Sequence, residues 1–178
     1  MVKGNLLAGE VRLLRMLTLA LVGAAYTTMV FGAYVKAIGA GMACPEWPVC
    51  ADGQLVGPLG DPGVAAEMVH RSAALIVVCT GLLILGLLFV RFRDEKRLLG
   101  LTIADALTLG VQIGLGALTI TSTLQPLIVT SHLAVATLFF GITLLVALQA
   151  WKVKAVSARA GATAAATPSE SEPPASFG

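Results

Sequence analysis

The chain has 178 residues, 57% of them hydrophobic and 12% charged, with a formal net charge of +2. A soluble domain usually carries about 25% charged residues, so water is excluded as the main solvent. The net charge says little about partners, because the charges are segregated by side rather than spread; membrane lipid is the expected surrounding partner, and no nucleic acid is expected.

In chain order, a basic segment (residues 1–15, with Lys3, Arg12 and Arg15) precedes a first apolar run from Met16 to Ala37. Its Val22-Gly23-Ala24 has the small residues of a signal cleavage site. The run continues to Ala37, however, which is longer than a signal h-region, and it reads as a span. A loop of residues 38–66 follows, then a second run from Glu67 to Val90. A tight basic turn, Arg91 to Arg97, makes helices two and three antiparallel neighbours. The third run, Leu98 to Thr121, is interrupted only by Asp105, and its Gly110, Gly114 and Ala117 suit close helix approach. The fourth, Leu127 to Trp151, has no Asp, Glu, Lys or Arg. Each run is long enough for a hydrocarbon core that needs about 20 helical residues. Residues 152–178, rich in Ala, Ser, Thr, Pro and Glu, read as a disordered tail.

The fold expected is therefore all-α: an integral membrane four-helix bundle with helices over about 16–37, 67–90, 98–121 and 127–151. Ten of the twelve basic residues lie on one side. The positive-inside rule makes that side the cytoplasm, with both termini in, a multi-pass chain in the cell membrane and the 38–66 loop outside. Helices two and four each have a histidine near the start and a glycine further on, a faint echo of a duplicated helix pair.

The chain has two histidines, His70 and His132. Counted from helix starts at Glu67 and Pro126, both imidazoles fall roughly 5–9 Å into the spans, on parallel helices that can face each other. A flat porphyrin standing between two helices needs one neutral imidazole from each side, so the pair reads as axial ligands of a haem iron near the outer face. The plainer alternative is a hydrogen bond at the interface for each. Zinc fits less well, because it takes three or four protein ligands. Cys79 is too deep to join and reads as a small core residue.

Glu67 precedes His70 by three residues and shares its helix face. It stands either as a carboxylate at the edge of the pocket, able to take a proton or stabilise positive charge, or as an N-terminal acidic residue facing water. Arg71, and Lys36 at the end of helix one, either meet haem propionates or reach lipid headgroups. Cys44 and Cys50, in Cys44-Pro45-Glu46-Trp47-Pro48-Val49-Cys50, fall in an oxidising compartment where a disulfide is the default, structural or redox-active.

These residues resemble the haem A synthase family. Gly39 to Cys50 is similar to its first outer-loop signature, Glu67-Met68-Val69-His70-Arg71 to its Glu-x-x-His-Arg, and Gln112, Gly116 and Thr119 to a helix-three pattern. His132 matches its helix-four histidine. The resemblance implies oxidation of the C8 methyl of haem O to a formyl group, giving haem A for terminal oxidases. On that reading haem b is the resident cofactor, His70 and His132 ligate haem, Glu67 is the catalytic residue, and Cys44 with Cys50 form the family's loop pair. Lys36 stands where the family pattern has Arg. Typical members have eight helices in two four-helix halves, one for substrate and one for cofactor. A single half implies self-association, a homodimer or higher, and a haem O-supplying enzyme is a further expected partner. Two rival readings are a bis-histidine haem b electron-transfer protein and, less well supported, a thiol oxidoreductase, for which one cysteine pair plus Cys79 makes a poor relay.

Overall fold

A computed structural model describes residues 8–154. Most of the expected disordered tail and the start of the basic segment lie outside these. Four α-helices follow one another: α1 Ala8–Ala37, α2 Pro62–Arg91, α3 Lys96–Thr121 and α4 Pro126–Ala150. All four are long and apolar enough to cross a membrane, and among the described residues there is no strand. The chain is an all-α, multi-pass membrane protein.

Two helices start earlier than hydropathy suggests. α1 begins at Ala8 and carries Arg12 and Arg15 within it. Backbone hydrogen bonding needs no apolar side chains; only the lipid-immersed part does. α2 begins at Pro62, behind an N-cap in which the Asp61 carboxylate accepts from Gly63 N–H at 2.7 Å and Val64 N–H at 3.0 Å. Asp then Pro is the local signature of such a start, since Pro has no N–H to leave unpaired. At 30 residues each, α1 and α2 are about 45 Å long, against a hydrocarbon core of about 30 Å. Their ends therefore stand in the headgroup region.

The helices form a square. The pairs α1–α2 and α3–α4 pack most extensively, α1–α4 less and α2–α3 least, while α2 and α4 face each other across one diagonal. The main core, with Leu14, Leu21, Ile84, Leu88, Phe92, Leu98, Phe139 and Val146, fills the end where the basic residues lie and the middle of the bundle. That end is latched by Arg15, whose guanidinium donates to the carbonyls of Trp151 at 3.1 Å and Val153 at 2.9 Å and lies over the Trp151 ring at 5.2 Å. Val153 is buried, so the first residues of the expected tail still belong to the bundle. Midway, Asp105 is buried and accepts from the Thr143 hydroxyl at 2.9 Å, tying α3 to α4. Gly110 and Gly114, expected to bring helices together, face open space: a Cβ at either meets nothing within 4 Å.

The opposite end carries the connection from Ile38 to Asp61. α1 stops in a Schellman turn at Gly39, whose φ is 73°. There Gly39 N–H reaches Lys36 O and Ala40 N–H reaches Val35 O. The loop is then folded back by a disulfide between Cys44 and Cys50, with Cα atoms 4.2 Å apart. Both cysteines are buried against Val64 of α2. Gly57 is pressed on this cluster, and a Cβ there would fall 2.5 Å from the Cys50 sulfur.

Candidate functional site

The two histidines lie toward the loop end, on diagonal helices. His70 is eight residues past Pro62 and His132 six past Pro126, roughly 12 and 9 Å along their axes. The depths still match to about half a turn, although the earlier start of α2 sets His70 deeper than expected.

Each ring rests on a glycine of the preceding helix. A Cβ on Gly32 of α1 would lie 2.9 Å from His70 Cε1, and one on Gly116 of α3 would lie 3.3 Å from His132 Cε1. Helix side chains lean toward the N-terminus and cover the turn before them, so a glycine also uncovers the residue four back. In α1 that residue is Thr28, whose carbonyl oxygen lies 3.0 Å from His70 Nδ1. A helical carbonyl has a second lone pair for such a contact. In α3 the residue four back is Gln112, whose side-chain nitrogen lies 3.3 Å from His132 Nε2. The histidine–glycine echo thus runs between paired helices rather than along α2 and α4.

The two ends of this parallel differ. Thr28 O is an acceptor only, so His70 Nδ1 carries the proton and Nε2 is left as a bare lone pair. Around His132 two buried polar atoms have no partner among the described residues: His132 Nδ1 and Gln112 Oε1. An unpaired buried polar atom costs about 1–3 kcal/mol, so a group from outside the chain could complete the bonding here. Two neutral imidazoles, each set on a glycine, suit axial ligation of a haem iron between α2 and α4.

Glu67 is 4% exposed and does not face water. One carboxylate oxygen accepts from the Cys44 N–H at 3.0 Å and the other from Arg71 at 2.6 Å. Arg71 donates further to the carbonyls of Val49 at 2.8 Å, Cys44 at 3.0 Å and Glu46 at 3.1 Å. The guanidinium binds the loop, a destination the sequence reading did not include alongside propionates and lipid headgroups. Lys36 is exposed in the last turn of α1 and is not brought to the histidines by any contact in the structure. His70 and His132 thus stand at like depth on diagonal helices, and Glu67, Arg71 and the cysteine loop form a bonded cluster beside His70 on α2. Thr28 and Gly32 escaped the sequence reading. Their signal was spacing alone: the pair at i and i+4 is repeated by Gln112 and Gly116.

Residues 63–170 match the COX15-CtaA family, described as cytochrome oxidase assembly protein. Among curated proteins, the chain is 34% identical over 131 residues (73% of this chain, 26% of the relative) to "Protoheme IX farnesyltransferase 1" of Natronomonas pharaonis. It is 45% identical over 53 residues (30% of this chain, 17% of the relative) to "Heme A synthase" of Symbiobacterium thermophilum. The match thus spans about a quarter or less of each relative.

Proposed function

The chain belongs to the COX15-CtaA family of cytochrome oxidase assembly proteins, and from that premise we propose that it is a haem A synthase, oxidising the C8 methyl of haem O to a formyl group. The observation that carries this reading is the histidine pair: one imidazole on each of two diagonal helices, at like depth, each backed by a glycine. The 45% identity to a protein named heme A synthase supports it. His70 and His132 are assigned as axial ligands. Bound haem b would supply one-electron chemistry in such a unit, and the chain's own residues hold and orient it.

Glu67 is assigned to the pocket edge as the catalytic carboxylate, three residues from His70. Its reach to Cys44 and Arg71 makes it also the joint between α2 and the loop. That double engagement favours a second reading, a bis-histidine haem b electron-transfer protein in which Glu67 is purely structural. Co-expression with a haem O source, followed by acid–acetone extraction and chromatography, separates them. A haem A peak is expected, and haem b alone would leave only the electron-transfer reading. Glu67→Gln is expected to keep haem bound and to lose conversion; unchanged conversion would remove Glu67 from the chemistry.

A second four-helix unit supplies the second haem site, and self-association of this chain is the simplest way to provide it. Gly110 and Gly114 of α3 leave room that suits such packing. The stretch similar to this chain takes up 26% of a protein named for haem farnesylation, which supports a haem O-supplying enzyme as a physical partner. The charge of the basic end supports a cell-membrane chain with that end on the cytoplasmic side.

A further inference from the structure

Resting on the haem-binding reading of the histidine pair, we infer that Gln112 is the positioning residue for His132, and that its reversible amide makes His132 the exchangeable ligand of the two. The chain leaves the Gln112–His132 contact incomplete. A neutral imidazole has one donor and one acceptor, and a glutamine amide has one acceptor and two donors. With the amide nitrogen facing the ring at 3.3 Å, the ring lone pair is capped, and the ring N–H and the amide oxygen are both stranded. With the amide turned about its Cγ–Cδ bond and the ring in its other tautomer, its proton moved from Nδ1 to Nε2, the amide oxygen accepts the Nε2 proton and Nδ1 presents the bare lone pair. The first state blocks coordination and the second prepares it. Thr28 offers His70 no such choice, because a main-chain carbonyl cannot become a donor.

Iron bonding therefore completes the second state and competes with the first. Gln112 does not touch the metal; it acts through His132 by setting which nitrogen holds the proton. An acceptor at a ligand's far nitrogen raises its basicity, and losing such a partner weakens metal affinity about 10–100-fold. A unit that takes in a haem and gives up a modified one needs one bond that opens readily.

The test uses the full chain in detergent micelles, freed of haem and titrated with ferric protohaem. Wild type is expected to give a six-coordinate low-spin spectrum, with His70→Ala and His132→Ala each losing it. Gln112→Leu, which keeps size but removes both amide groups, is expected to shift the haem toward five-coordinate high-spin. Its haem transfer to apomyoglobin should be about tenfold faster or more. Gln112→Glu, an acceptor at the same reach, is expected to restore the low-spin spectrum, slow transfer below wild type and lower the haem midpoint potential. Circular dichroism checks that each variant is equally helical. If Gln112→Leu keeps the wild-type spectrum, potential and transfer rate, the inference is wrong although the haem reading stands. If Gln112→Glu fails to rescue a Leu defect, the effect is packing and the inference is equally wrong. A wild-type protein that takes up no haem through both histidines overturns the haem reading and this inference with it.

Discussion

The α1–α2 pair and the α3–α4 pair use the same local device, a histidine seated on a glycine of the preceding helix, and surround it differently. In the first pair the ring is fixed by a main-chain carbonyl, the helix is capped by Asp61, and the long connection is stapled and hooked to α2 by Glu67 and Arg71. In the second pair the ring meets a side-chain amide that leaves polar atoms over, and the connection is only the short turn from Ser122 to Gln125. On the proposed haem reading, the first half would hold its ligand and the second would exchange it, the difference resting on the partner of one nitrogen.

The largest expected contrast is between the two histidines themselves. His70→Ala should purify without haem, whereas His132→Ala should retain haem through His70, with weakened affinity and a high-spin absorption spectrum. Equal losses would erase the distinction between the halves. Next in size are the glycines. Gly32→Ala places a methyl 2.9 Å from the His70 ring and covers the Thr28 carbonyl, so a fall of about tenfold or more in haem affinity is expected by titration. Gly116→Ala meets His132 at 3.3 Å and should fall less. A reversed order would show that the second seat, not the first, is the rigid one.

Smaller effects bear on the surroundings. Replacing both Cys44 and Cys50 by Ser opens a short ring, worth about 2 kcal/mol on a chain-entropy estimate. Protease digestion should then cut residues 44–60 faster, while titration of the α3–α4 histidine is unchanged. Coupled loss at His132 would show that the loop serves both halves. The least effect is expected from Thr143→Val, which removes one interhelical bond to Asp105. Bonds of that kind within membranes average about 0.6 kcal/mol, readable as a small drop in thermal stability in detergent.

Much of this was legible in the sequence. The four apolar runs identify the spans because lipid immersion demands about 20 apolar residues whatever the tertiary packing, and a histidine in an otherwise apolar segment is conspicuous for the cost of placing it there. The helix starts were less legible, since hydropathy marks where lipid begins and not where backbone bonding begins. Asp61-Pro62 did carry that signal. The destination of Arg71 was hidden for a deeper reason. Three of its acceptors are main-chain carbonyls 22 to 27 residues away, and every residue type offers the same carbonyl. Thr28 was hidden likewise, because its carbonyl and not its hydroxyl meets His70.

The Arg15 latch has a consequence for assembly. By holding the carbonyls of Trp151 and Val153, the first helix grips the end of the last, so the square is closed along all four sides. The covalent link after Asp94 is then not what closes the square, although Phe92 just before it belongs to the core. Two polypeptides, one ending after α2 and the other beginning at α3, should insert separately as hairpins and find each other in the bilayer. A new chain order, with α3–α4 written before α1–α2, should fold to the same bundle once a linker spans that latch.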